Sequence, residues 1–217
     1  MKQKQLLSFL VCILMLSSCA APTDSTLDSG LTLRVYFADA EEIRLLPLED
    51  YVFGALAAEM PANYAPEALK CQAVAARTRA VAQSRAFGGN GCVRHPDCDI
   101  CTDSACCQAW SSEATLEAKY GVELPQYWDK ASAAVAETAG EILTYDGAPI
   151  EAAYFSCSGG STEAAVAVWG TDVPYLQAVE SPGEQDALRY ESEAAFPEDE
   201  LRAILNKAAP EAKLDGP

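Results

Sequence analysis

The chain of 217 residues is 50% hydrophobic and carries 15 basic against 32 acidic side chains, a formal net charge of −17. That length and apolar content suffice for one sizeable core, or for one domain with a tail, and they exclude collagen-like, disordered and coiled-coil classes. A surface this acidic repels nucleic acid and anionic lipid, so a basic site has to be local and no nucleic-acid partner is expected, although acidity also serves solubility alone.

The leader MKQKQLLSFLVCILMLSSCAAP has two lysines, an apolar run from Leu6 to Leu16, then Ser17-Ser18-Cys19. This is the layout of a secretory signal, and the run is short for a bilayer span. The small residues before the cysteine resemble the lipobox of bacterial lipoproteins. That resemblance implies cleavage after residue 18, lipidation of Cys19 and a tether on the outer face of the cell membrane; a plain signal or an uncleaved anchor is the rival reading. Cleavage would remove Lys2 and Lys4 and take the formal charge from −17 to −19. Residues 19–30, rich in Ser, Thr, Asp and Ala, read as a flexible spacer.

From Leu31 to Phe37 apolar and polar residues alternate, which predicts a half-buried strand, and a second short strand is expected over Ile43–Leu46. A helix follows from Leu48, its stripe running through Leu48, Val52, Ala55 and Leu56. The next position of that stripe is Glu59, a carboxylate where an apolar residue belongs. Met60-Pro61 stops the helix, because the residue before proline avoids the α region. A second, alanine-rich helix begins at Pro66 and is expected to reach about Phe87, before Gly88-Gly89. It carries Lys70 and Arg77, seven residues apart and therefore on one side.

Gly91 to Trp110 is a loop without periodicity, rich in cysteine. Ala131–Ala139 reads as a short helix, and Ile142–Tyr145 with Ile150–Phe155 as a hairpin turning at Asp146-Gly147. At the end of that strand comes SCSGGST, whose Gly159-Gly160 can bring backbone close to a ligand. Trp169–Pro182 reads as an ordered aromatic loop and Pro197–Lys207 as a last amphipathic helix. The fold expected is α+β: a central helix pair packed on an antiparallel sheet, with a Cys/His-rich loop, over residues 31–217.

Three stretches in order, LPLEDYVFGALAAEMPANYAPEALKCQAVAARTRA, HPDCDICTDSACCQAW and ETAGEILTYDGAPIEAAYFSCSGGSTEAAVAVWGTDVPYLQAVESP, resemble the stage II sporulation protein D / LytB amidase-enhancer family over roughly residues 31 to 182. The resemblance implies an exported lytic transglycosylase acting on peptidoglycan strands denuded of stem peptides, in sporulation, engulfment or wall remodelling. It implies that Glu59 of the EMP motif is the catalytic acid and that Lys70, Arg77 and Tyr154 are functional. It also implies zinc on His95, Cys101 and Cys107, spaced by six. The family commonly continues past the ESP motif in a strand-rich segment, so the domain is expected to be cut short at its C-terminus. Its sporulation member commonly has a membrane helix where this leader looks like a lipoprotein's.

The residues support the chemistry in part. A lytic transglycosylase needs one carboxyl group, which protonates the glycosidic oxygen and then takes the proton of the muramic C6 hydroxyl to close a 1,6-anhydro ring. Glycosidases that use water usually need a second carboxylate within about 5 to 10 Å. Asp50 lies most of a helix away and Glu67 reads as a first-turn helix charge, so a lone acid points to ring closure. Such an acid works best when neighbours such as Leu56 and Met60 keep water from it. Lys70 and Arg77 are then assigned to the substrate, with Arg77 suited to a bidentate grip on the lactoyl carboxylate of muramic acid. Ser156 and Ser158, with the backbone N–H groups of their turn, are candidates to bind sugar hydroxyls; the alternative is a simple tight turn.

In the cysteine loop zinc needs a fourth ligand, Cys92, Cys98 and Cys106 stand nearby, and a structural role is favoured over a catalytic one. Disulfides are the rival reading for an exported protein. Cys71 and Cys157 read as small core residues. The second functional reading is a non-catalytic wall-binding activator of a partner amidase, and the third an inactive remnant.

Overall fold

The computed structural model describes residues 30–212 apart from 62, 188 and 189. The leader, Cys19 and most of the spacer lie outside the described residues. These fall into two compact units that meet at Ala153 and Tyr154, where the sequence reading expected one continuous domain.

The first unit opens with a hairpin, β1 (Thr32–Phe37) and β2 (Glu42–Pro47), paired antiparallel from Thr32↔Pro47 to Phe37↔Glu42. Leu33, Val35 and Phe37 are buried while Thr32 and Arg34 are exposed, as strict alternation on a one-sided sheet requires. On the other edge of β1 lies β3 (Ile100–Cys101), pairing in parallel at Val35↔Ile100. The sheet is therefore mixed, which the antiparallel expectation missed. A two-residue strand has no alternation to read in sequence, and its place is fixed by long-range ties. The Asp99 N–H donates to Arg34 O at 2.8 Å, while the Asp99 carboxylate accepts from the N–H groups of Arg34 and Arg85.

Three helices pack on one another, and the first of them also lies against this sheet. Helix α1 (Leu48–Glu59) buries Leu48, Tyr51, Val52, Ala55, Leu56 and Ala57 and ends where Met60 turns extended before Pro61. Helix α2 (Pro66–Gln83) starts on its proline and buries Leu69, Ala73, Ala76, Ala80 and Val81; a 3-10 turn over Arg85–Phe87 takes the chain to Gly88 at φ 83°. The small alanines allow the helix axes to approach closely. After the cysteine loop, α3 (Glu113–Tyr120) is capped by Ser112, whose side chain accepts from the Thr115 N–H. Helix α4 (Leu124–Glu137) then completes the layer, burying Tyr127, Ala131, Ala134 and Val135. The predicted short helix is its C-terminal half.

The expected hairpin closes this unit, but its ladder is only β4 (Thr144–Tyr145) on β5 (Ala148–Pro149). The turn is as read, with Asp146 at φ 50° and Gly147 at φ 80°. Beyond it the chain carries no named strand through Phe155.

The second unit holds α5 (Ala165–Trp169), α6 (Glu198–Ala208) and short 3-10 turns over Glu184–Asp186 and Pro210–Ala212. No helix among the described residues is long and apolar enough to cross a membrane.

Candidate functional site

Glu59 is the last residue of α1, exposed at the end of a helix whose other faces are mostly buried. Apolar cover from Leu56 and Met60 was expected, but Glu59 is exposed, because extended Met60 carries the chain away from the helix end. The turn beyond is braced from α4. Tyr127, 1% exposed, donates its hydroxyl to Met60 O at 3.3 Å, and Lys130 Nζ donates to Tyr64 O. Burial, with Tyr120 stacked at 4.5 Å, pushes the Tyr127 phenol well above its usual range, so it stays a donor. These two bracing residues went unread in the sequence, where nothing in LPQYWDK points back to Met60.

Arg77 and Lys70 share a face, as predicted, but that face meets α4. Arg77 is wholly buried. Its Nε donates to both Glu49 oxygens at 3.0 and 3.2 Å, and Nη2 donates to Glu49 Oε2 at 2.6 Å and to Val135 O at 3.3 Å. Nη1 donates to Thr138 Oγ1 at 3.4 Å and Glu141 O at 3.2 Å. The fork thus joins α1 to the carbonyl end of α4, where orphan C=O groups and the helix dipole both favour a cation. The bidentate grip foreseen on a substrate carboxylate is given to Glu49, and that expectation is corrected: no surface of Arg77 is left to offer. Lys70, 27% exposed at its side chain, pairs with Glu137 at 2.6 Å and Glu67 at 2.9 Å. Those two carboxylates, Glu137 foremost, raise its pKa above the usual lysine range and keep it charged.

A cleft of ≈ 580 Å³ opens at the other end of α1. Phe53, Trp110 and Trp128 form its apolar wall, and Glu49, Asp50 and Glu113 its acids. The Phe53 and Trp128 rings lie 4.4 Å apart, and Trp110 lies so close over α1 that a Cβ on Gly54 would come within 2.1 Å of its Nε1. Aromatic faces beside hydrogen-bonding carboxylates suit a neutral sugar ring. Glu59 is not in its lining; it stands ten positions after Glu49, about 15 Å along the axis.

In the cysteine loop, the sulfurs of Cys92, Cys101, Cys106 and Cys107 all lie within 4.8 Å of one another. Cys92 is 3.6 Å from Cys106 and 3.7 Å from Cys107, and the last two are 3.8 Å apart. Thiolates at about 2.3 Å from one tetrahedral zinc stand about 3.8 Å from each other, so the donor set fits such an ion. His95 is not among the four; its ring stacks on Tyr36 with centroids 3.6 Å apart. The predicted ligand set is therefore corrected: Cys101 and Cys107 stay, Cys92 and Cys106 join them, and the regular spacing that drew attention to His95 reports nothing about where the ring points.

Burial opposes a thiolate at Cys92, but the N–H groups of His95 and Arg94 and the thiols of Cys106 and Cys107 outweigh it and lower its pKa. Burial raises Cys101 and pushes Cys107 up to about 12, so neither would ionise without a cation. All seven cysteines among the described residues are unbridged. Cys98 is buried apart from the four, while Cys71 is exposed and Cys157 half-buried, so neither of the last two is the core residue expected.

In the second unit Tyr154 is half-buried and Ser156 exposed. Ser158 does not present its donors to solvent. Its N–H and Oγ donate to Glu184 Oε2 at 2.7 and 2.6 Å, and the Gly160 N–H joins them at 2.9 Å. Ser181 Oγ donates to Glu184 Oε1 at 2.9 Å. These donors, led by Ser158 Oγ, depress the Glu184 pKa to about 2. Glu184 was not singled out in the sequence, since a glutamate in SPGEQD has no local signal.

A family model described as "Stage II sporulation protein" matches residues 36–145. The chain is 39% identical over 188 residues to stage II sporulation protein D of Bacillus subtilis (strain 168), covering 87% of this chain and 52% of that one. It is 38% identical over 178 residues to stage II sporulation protein D of Bacillus amyloliquefaciens, covering 82% and 51%. It is 34% identical over 133 residues to the amidase enhancer of Bacillus subtilis (strain 168), covering 57% of this chain and 14% of that protein. The chain thus spans about half the length of the sporulation proteins it matches.

Proposed function

The chain belongs to the stage II sporulation protein D family, and on that premise we propose that it is an exported peptidoglycan lytic transglycosylase for glycan strands denuded of stem peptides. The observation that carries the reading is the placement of Glu59: one exposed carboxylate on the end of a buried helix, before a turn braced by Tyr127 and Lys130. A rigid mount and an open approach are what a general acid for a polymer needs. Glu59 protonates the glycosidic oxygen and the sugar bond breaks. As carboxylate it then accepts the proton of the muramic C6 hydroxyl, whose oxygen closes the 1,6-anhydro ring. The strand itself supplies the cover that the isolated protein lacks.

Within this reading Lys70, Tyr154, Ser156 and Ser158 are substrate-binding residues. Cys92, Cys101, Cys106 and Cys107 hold zinc, which would clamp the loop and fill no catalytic position. The protein works outside the membrane, tethered through lipidated Cys19.

The test is digestion of peptide-free glycan strands with the whole chain. Anhydromuramic ends should appear and should be lost with Glu59→Gln; reducing ends would sink the ring-closing mechanism. The likeness to an amidase enhancer favours a second reading, a wall-bound activator of a partner amidase. Equal enhancement of an amidase by the native chain and by Glu59→Gln would establish that one instead.

A further inference from the structure

The turn from Ser156 to Ser161 has the build of an anion receptor. Gly159 and Gly160 sit at φ 78° and 105°, a left-handed path open to glycine, and this path turns the N–H groups of Ser158 and Gly160 toward one point. Concave backbone nests of this kind bind anionic oxygen. One carboxylate oxygen occupies that point, receiving the N–H of Ser158, the N–H of Gly160 and the Ser158 hydroxyl, all within 2.9 Å. The second oxygen takes the hydroxyl of Ser181.

The occupant comes from the protein itself. Glu184 begins a three-residue 3-10 turn directly after Gly183 at φ 89°, a short segment with a glycine at its base. The site is within reach of solvent: Ser158, Gly160 and Glu184 are half-buried, and Gly159 is exposed. All five donors, including the Cys157 thiol 3.6 Å from Glu184 Oε2, are neutral, so what the nest recognises is carboxylate geometry and not charge in bulk. In a chain of net charge −17, general attraction would not bring a carboxylate there.

We propose that the SCSGGS turn is a carboxylate-binding subsite for the lactyl-ether carboxylate of an unsubstituted muramic acid residue, and that Glu184 holds it closed until that ligand displaces it. The choice of muramic acid rests on the glycan substrate proposed above; the carboxylate specificity rests on the nest alone. A strand still carrying stem peptides has that carboxyl tied up as an amide and offers nothing to displace Glu184. The subsite therefore selects denuded strands, and the clasp tunes how strongly. An internal competitor acts at an effective concentration in the mM range, so its removal should strengthen ligand binding by the same competition.

The experiment titrates the whole chain, native and Glu184→Gln, with N-acetylmuramic acid, N-acetylglucosamine and acetate, following the backbone amide resonances of Ser158 and Gly160. N-acetylmuramic acid should shift both amides and bind Glu184→Gln at least about tenfold more tightly than the native chain. Acetate should act weakly at the same amides and N-acetylglucosamine not at all. Equal binding to both proteins, or equal response to the two sugars, would overturn the proposal. If Glu184→Gln disorders the turn, N-acetylmuramic acid should restore the two amide signals, and failure to do so overturns it too; Glu184→Asp, which keeps the charge but shortens the reach, should fall between. Digestion of strands by the same samples separates the two claims. Cleavage without nest binding defeats only the subsite, and nest binding without cleavage defeats only the lyase.

Discussion

Arg77 shows how far a residue's type can mislead about its task. With Lys70 it lies on one helix face, and two cations so placed invite assignment to a substrate. The five N–H groups of its fork are instead all taken by Glu49, Thr138 and two carbonyls. Arg77→Met would leave the Glu49 carboxylate partly buried without its cation, a loss of about 3–5 kcal/mol. The melting temperature should drop steeply, whereas Lys70→Ala, at the rim, should move it little. An Arg77→Met chain that melts like the native protein but fails to bind glycan would return Arg77 to the substrate.

Glu184 offers a pH test of opposite character. Its pKa in the fold is about 2, below the ordinary 4.5, so its contribution is complete above 4.5 and is lost as pH falls through about 2. The protection of the Ser158 and Gly160 amides from exchange, relative to their intrinsic rates at each pH, should be unchanged from neutrality to about pH 4.5 and then fall toward pH 2. Glu184→Gln should abolish that step.

At the scale of elements, the boundaries written in proline were legible: Met60-Pro61 ends α1 and Pro66 starts α2, because proline restricts backbone locally and without help from the fold. The turn at Asp146-Gly147 was legible too, because aspartate and glycine tolerate the positive φ that such a turn needs. The strand after it was overread: Ile150, Ala152 and Tyr154 alternate in sequence, but the ladder ends at Pro149 and only the Ile150 N–H carries on from it, donating to Leu143 O at 3.2 Å. Helices α3 and α4 were missed or halved because their aromatics, Tyr120, Tyr127 and Trp128, serve contacts with one another and with α1 that only the assembled layer defines.

Gly54 belongs to this scale. Glycine inside a helix is disfavoured against alanine by about 1 kcal/mol, so its presence in α1 needs a cause. The cause is Trp110, which occupies the space of a Cβ and meets Phe37 edge-on at 5.0 Å. Gly54→Ala should displace the indole, destabilise by about 1–3 kcal/mol despite the better propensity, and change tryptophan fluorescence as the cleft wall moves. A gain in stability would show that the helix and the indole part easily.

The cysteine cluster matters for the first unit as a whole, because its four residues come from places the chain has to bring together. Cys92 follows the end of α2, Cys101 is the last residue of β3, and Cys106 and Cys107 lead into Trp110 on α1. Spacing along the sequence could mark the loop as a metal or disulfide region, but not choose four sulfurs from its five, since the choice depends on how the loop folds back onto β1. An ion held there would tie sheet, helices and cleft wall at one point, and metal binding free energy in such a site is folding free energy. Purified chain should then contain one zinc, and a strong chelator should lower its melting temperature by on the order of 10 °C and make four thiols reactive. Cys106→Ala should lose the metal while His95→Ala keeps it, the reverse of what the histidine-containing ligand set predicts. Thiols that react only after a reductant is added, with no metal present, would identify disulfides and remove the clamp from the mechanism.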